Sequence, residues 1–130
     1  MNTPKGLKYT STDEWLRVEG NIATLGVTDY AQDQLSDVVF FEVNVEVGDM
    51  VEKGTIVATI ESVKAAADVS LPTSGKVIEV NEALANTPEI INSDPFGAAW
   101  MLKVELTDPT EVESLMDADA YASYCETRGH

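Results

Sequence analysis

Histidine and cysteine are almost missing from this sequence: each occurs once, as His130 and Cys125. A single cysteine excludes an intramolecular disulfide and any cysteine-rich zinc site. Ser-His and Cys-His nucleophilic arrangements need an imidazole held in a structured pocket, and one histidine at the last position is a poor candidate, so most hydrolase chemistry is disfavoured. Basic residues are also scarce, 8 against 23 acidic ones, for a net charge of −15. Clustered Lys and Arg are what displace counterions from a phosphate backbone, so no nucleic-acid role is expected. An anionic membrane surface would repel the chain for the same reason. No apolar run approaches the roughly 20 residues needed to cross a bilayer, and the opening MNTPKGLKYT has no apolar signal core. A soluble intracellular protein is expected.

What is present is a globular composition, with 44% hydrophobic residues in 130. That length supports one core better than two, so a single domain over residues 1–130 is expected. Asn21 to Val27 (NIATLGV) reads as a short strand leaving a turn at Gly20. Thr28 and Asp29 offer capping oxygens, and Tyr30, Ala31, Gln34 and Leu35 share a helical face, which predicts a helix over 28–35. Val38 to Val43 (VVFFEV) is a β-branched and aromatic run, and Gly48-Asp49 marks a turn.

From Thr55 the run TIVATIES alternates, with Ile56, Ala58 and Ile60 predicted on one face and Val57, Thr59 and Glu61 on the other. Ala67, Val69 and Leu71 share a face of the next run, so the two form a hairpin with Val63-Lys64 at its tip, expected as a type I turn. Lys76–Val80 and Trp100–Leu106 are two more strands joined by a loop rich in Asn, Pro and Asp. Asp108-Pro109-Thr110-Glu111 has a capping Asp and a proline at the first helical position, and Asp119–Arg128 places Tyr121, Tyr124 and Cys125 on one face before Gly129. A helical segment over about 108–128 is therefore expected to pack on the strands, with Cys125 as ordinary packing.

Lys64 stands out among these features. A lysine at a hairpin tip is usually a solvated surface charge, but this one is flanked by Val63, Ala65, Ala66 and Ala67, which leave the amine open to a modifying enzyme. Glu61 and Asp68 flank the tip without sitting beside it. Lys76, also close to a turn, lacks that context.

The segment Glu61-Ser62-Val63-Lys64-Ala65 closely resembles the lipoylation site of the glycine cleavage system H-protein family, with Lys64 at the modified position. Further segments resemble the family in order: Lys8-Tyr9 with Glu14-Trp15, Gly26 to Asp33, Val38-Val39-Phe40, Ile90-Ile91-Asn92-Ser93 and Trp100-Met101. The likeness runs from about Gly6 to about Cys125. Three departures lie outside the hairpin: Asp13 where the family usually has His, Ser36 where Gly is usual, and Val43-Asn44 for a common Leu-Pro.

The resemblance implies a mainly β fold, the lipoyl/biotinyl-carrier sandwich (barrel-sandwich hybrid) with short helices at its edges and C-terminus. It implies a non-catalytic carrier with lipoate in amide linkage to Lys64, and Glu61, Ser62, Val63 and Ala65 as the context of the modification. The arm would take an aminomethyl group from a pyridoxal-phosphate glycine decarboxylase to a tetrahydrofolate-dependent aminomethyltransferase and be reoxidised by a dihydrolipoyl dehydrogenase. Lipoyl-transferring enzymes would be further partners. Thr12, Glu14 and Asp68 match family positions lining the cleft for the loaded arm. Read from its neighbours alone, Glu14 is a surface acid beside a packed Trp15. A bacterial cytoplasmic monomer, or a mature organellar form, is expected. Three rivals remain open on the sequence: a biotinyl or lipoyl domain of an acyltransferase or carboxylase, a lipoyl carrier serving another system, and an acid-dependent hydrolase built on Glu14 and Asp68.

Overall fold

The computed structural model describes residues 1–128. Short alternating runs separated by glycine turns give nine strands among the described residues: β1 (Lys8–Tyr9), β2 (Glu14–Glu19), β3 (Ile22–Val27), β4 (Val38–Val43), β5 (Met50–Val51), β6 (Ile56–Ser62), β7 (Ala66–Ser70), β8 (Gly75–Val80) and β9 (Leu102–Leu106). Turn chemistry fixes the pairing. Glu19 pairs with Ile22 across a two-residue loop in which Gly20 sits at φ 63°, the left-handed conformation that hairpin loops of this length require. The strands form an antiparallel six-stranded sheet, β1-β2-β3-β9-β8-β5, and a three-stranded sheet, β4-β6-β7. The result is an open sandwich and not a closed barrel.

The inner faces of both sheets meet in one apolar cluster. Leu16, Leu25, Val77 and Val104 come from the larger sheet and Phe41, Val57, Ile60 and Val69 from the smaller. Each such side chain, fully withdrawn from water, contributes about 1.5–3 kcal/mol. One expected face is corrected here. Pairing of β6 with β7 shifts between Ile56 and Ala58, and this irregularity leaves Ile56 exposed while Val57 and Ala58 are both buried.

The helix predicted over 28–35 forms as α1 (Asp29–Leu35), with the Thr28 hydroxyl accepting from the Ala31 amide. The stretch expected as a loop between β8 and β9 instead holds two single-turn helices, α2 (Ala83–Asn86) and α3 (Ile90–Ser93). From α3, Asn92 accepts from the Val38 amide at 2.8 Å and donates to the Ser36 carbonyl at 2.7 Å, fixing the α1–β4 corner. Asp108 starts a helix as predicted, but it is a 3-10 helix, Pro109–Ser114, and α4 (Ala118–Glu126) follows. The expected stop at Gly129, and His130, lie outside the described residues. Strands β1, β2 and β5 are additional to those the sequence suggests, and β9 begins two residues later than expected.

A second cluster fastens α1 and α4 to β1. Tyr9, Trp15, Tyr30, Tyr121 and Cys125 are buried together, and the rings of Tyr9 and Tyr121 stack at 4.7 Å. Burial pushes the Tyr9 hydroxyl up to about 12. Gly26 lies opposite Trp15 across the β2–β3 pair, and the indole occupies the space a side chain would need there. Among the described residues no helix is long and apolar enough to cross a membrane.

Candidate functional site

The β6–β7 hairpin carries the lysine singled out by the sequence. Its register pairs Glu61 with Ala66 and Ile60 with Ala67, so residues 62–65 make the turn. The Ser62 hydroxyl knots it, accepting from the Ala65 amide at 3.0 Å and the Lys64 amide at 3.3 Å while donating to the Ala65 carbonyl at 3.1 Å. The Ser62 amide donates to the same carbonyl at 2.7 Å, and the Val63 amide reaches the Asp37 carbonyl at 3.1 Å. The expected turn is thus closed in part by a side chain, and its backbone is held from both ends. Glu61, Val63, Lys64 and Ala65 are exposed. The Lys64 ammonium makes no hydrogen bond or ion pair with the described residues. A primary amine is therefore presented to solvent on a fixed backbone, free to react once an incoming enzyme removes its proton.

The other end of β7 borders a cleft of about 320 Å³ whose wall includes Thr10, Thr12, Glu14, Gly54 and Ser70. Glu14 is 2% exposed, which overturns the reading of it as a surface acid. One carboxylate oxygen, Oε1, accepts from the hydroxyls of Thr10 and Thr12, each at 2.6 Å. The other, Oε2, faces the Ser70 amide at 3.3 Å and hydroxyl at 3.4 Å. Burial pushes the Glu14 carboxyl above the usual carboxylate range, and these four donors pull in the opposite direction. A negative charge can be held here largely out of water, where it would favour a cation brought into the cleft.

The structure brings Thr12 and Glu14 together, with Thr10 and Ser70, which the sequence reading missed. Thr10 and Thr12 meet Glu14 because residues 10–13 form a tight turn, with the Asp13 amide on the Thr10 carbonyl at 3.2 Å and Asp13 at φ 72°, and alternation along the sequence does not signal that convergence. Asp68 is exposed, makes no hydrogen bond among the described residues, and lies two positions before Ser70 on the same side of β7. Asp68 does not line the cleft that Glu14 lines, so the two carboxylates of the hydrolase rival do not share that pocket. A larger cleft, about 710 Å³, lies between α1 and α4 and contains none of these residues. No group of three metal-ligating side chains occurs among the described residues.

Comparison with known proteins places this geometry in context. The family model for the glycine cleavage H-protein matches residues 7–128. The glycine cleavage system H protein of Thermotoga maritima is 53% identical over 118 residues, which cover 91% of this chain and 94% of that protein. The mitochondrial glycine cleavage system H protein 2 of Arabidopsis thaliana is 49% identical over 122 residues, covering 94% and 78% of the two chains. The crystal structure of a glycine cleavage system H protein from Mycobacterium marinum superposes with a TM-score of 0.85 at 33% identity, covering 95% of this chain and 98% of that one. With its family model spanning nearly all the described residues and its sandwich shared with a solved relative, this chain belongs to the glycine cleavage H-protein family.

Proposed function

We propose that this protein is a non-catalytic lipoyl carrier of the glycine cleavage system, a single unit whose prosthetic group is held in amide linkage to Lys64. The observation that carries this reading is the pairing of two features on one strand. An unpartnered, exposed lysine stands at the tip of the β6–β7 hairpin, and a buried carboxylate lines a cleft bordering the far end of β7. Ser70 lies roughly 13 Å beyond Ala66 along the extended strand β7, and Lys64 stands in the turn two residues before Ala66. Lysine joined to an eight-carbon acid extends over about 13 bonds, or about 15 Å at the advance of an extended chain. An arm of that length spans most of the way from the hairpin tip to Ser70 and the cleft, so the residues present fit the group.

When bound, the lipoyl group supplies a reducible disulfide that carries a one-carbon amine and two electrons between glycine decarboxylase, aminomethyltransferase and dihydrolipoyl dehydrogenase. The chain's own part is to present, hold and shield. Ser62 fixes the turn so that Lys64 projects outward. Glu14, whose charged form the Thr10, Thr12 and Ser70 donors favour against the opposing effect of burial, in that form favours the protonated state of an amine in the cleft; Thr12 adds a polar contact there, and Asp68 lies along the arm's path on β7. The net charge of −15 steers the carrier to basic docking surfaces on its partners, raising encounter rates about 10- to 1,000-fold at low salt. The same charge favours a soluble monomer and disfavours nucleic-acid and anionic-membrane partners, and the family points to the bacterial cytoplasm or, as a mature form, to an organelle.

Peptide mass spectrometry after incubation with a lipoyl-transferring enzyme tests the reading. The added mass is expected on Lys64 alone and is expected to vanish in Lys64→Arg; mass persisting in that variant refutes the assignment. The Glu61 side chain is exposed and makes no hydrogen bond or ion pair among the described residues, so Glu61→Ala is expected to slow modification with the melting temperature nearly unchanged.

A further inference from the structure

Two consecutive apolar side chains of β4 both face solvent, which a regular strand does not allow. β4 pairs with β6 through a break in register: Val38 lies opposite Ser62 and Phe40 opposite Glu61, so Val39 is the extra residue of a bulge. Val39 is 57% and Phe40 41% exposed. The adjoining hairpin adds Val63, 69% exposed, whose amide is tied to the Asp37 carbonyl at the entrance to β4. Val39, Phe40 and Val63 thus border Lys64 with an apolar surface, and the exposed carboxylates of Asp37, Glu42 and Glu61 surround it. An apolar centre inside a charged rim is how docking surfaces are built.

We infer that this patch is the docking surface for the enzyme that acylates Lys64, and that the enzyme meets it with an apolar socket rimmed by Lys or Arg. The inference rests on the reading of Lys64 as the attachment site. Geometry selects this occupant over the enzymes that act later. An acylating enzyme must bring a carbonyl carbon within about 3–3.5 Å of the Lys64 nitrogen, only one side chain's length from the hairpin backbone. It therefore sits on the tip and on whatever adjoins it. Enzymes that work at the end of the finished arm act about 10 Å beyond the Lys64 nitrogen and have no need to cover β4. The small Ala65 and Ala66 leave the other side of the tip open. In the step itself the ammonium loses a proton and its lone pair attacks the carbonyl of a lipoyl-adenylate. The amide C–N bond forms, the carbonyl C–O bond to AMP breaks, and the nitrogen's second proton passes to solvent.

The test is lipoylation kinetics with a lipoate ligase, lipoate and ATP, followed by intact mass. The double variant Val39→Ser/Phe40→Ser is expected to raise KM for the carrier about tenfold with kcat unchanged. Val47→Ser/Met50→Ser removes still more exposed apolar side chains, at and just before β5 at the edge of the other sheet, and is expected to match wild type. Once lipoylated at high concentration, the β4 variant is expected to be reoxidised by dihydrolipoyl dehydrogenase at the wild-type rate. Val39→Ser alone, at the bulge, serves if the double variant does not fold. Wild-type KM in the β4 variants overturns the inference, as does an equal loss in reoxidation, which would assign the patch to the later enzymes. Failure of wild-type Lys64 to be acylated overturns the carrier reading, and the inference falls with it.

Discussion

Arg128 grips Asp13 at two points across 115 residues of sequence, Nη1 to Oδ1 at 2.5 Å and Nη2 to Oδ2 at 3.0 Å. The Tyr121 hydroxyl donates to the same Oδ1 at 2.7 Å and in turn accepts from Thr28 at 2.7 Å. A chain of polar groups therefore runs from the N-terminus of α1 through α4 to the β1–β2 turn. Burial pushes the Tyr121 hydroxyl far up, and the Asp13 charge adds to this. The Asp13 carboxylate likewise raises the Arg128 guanidinium.

Breaking that pair is expected to loosen α4. Asp13 sits at φ 72°, a backbone that Asn tolerates, so Asp13→Asn removes the charge with little backbone cost. Asp13→Asn and Arg128→Met are each expected to lose about 1.5–3 kcal/mol, the range for charge-assisted hydrogen bonds that are mostly out of water. The double variant is expected to lose clearly less than the two losses added together. Urea unfolding of the three variants measures it.

Ser36 closes α1 at φ 66° and ψ −147°, a conformation that suits glycine and strains other residues. Its two contacts to the fold are through the backbone: the amide donates to the Gln32 carbonyl and the carbonyl accepts from Asn92. Ser36→Gly keeps both and relieves the strain. A gain of about 1 kcal/mol in urea unfolding is expected.

Gly26 has no such freedom to change. A methyl group there would lie 2.5 Å from the Trp15 ring, which is fully buried and donates from Nε1 to the Pro95 carbonyl at 3.0 Å. Gly26→Ala is expected to cost about 3 kcal/mol by overpacking. Tryptophan fluorescence during denaturation reports it, and the emission is expected to shift as the indole moves.

Glu14 links stability to pH in an unusual direction. Its folded carboxyl titrates above the unfolded one, so between the two values the native state binds more protons than the unfolded state. Stability from this group is thus greatest below the unfolded value and falls as pH rises through the folded one. Glu14→Gln abolishes that slope, so its stability relative to wild type is expected to improve from acid to neutral pH. In the loaded carrier the same variant is expected to release ammonia about tenfold faster, since a charge-assisted hydrogen bond exceeds the 1.36 kcal/mol that a factor of ten requires. Equal decay rates would show that the carboxylate does not hold the amine.

Local chemistry made much of this legible in the sequence. The cap at Thr28, the hairpin around Lys64 and the family-like segments rest on residues next to one another, and the structure places those elements where expected. What was hidden depends on residues far apart. β1 is two residues long and exists because β2 pairs with it and Met116 bridges to Tyr9. The irregularity that exposes Ile56 arises from how β6 meets β7, which alternation within β6 does not encode. The neighbours of Glu14 in sequence read as those of a surface acid, because one of its partners, Ser70, is 56 residues away.

That distant contact also joins the two layers. Glu14 belongs to β2 of the six-stranded sheet and Ser70 to β7 of the three-stranded one, so the carboxylate acts as a rivet through the sandwich. Any breathing of the sheets at this edge must release the rivet, and anything seated on it must hold the layers together. Occupancy of the cleft and opening of the Ser70 amide are therefore coupled equilibria, and amide hydrogen exchange at Ser70 is expected to slow when the cleft is filled.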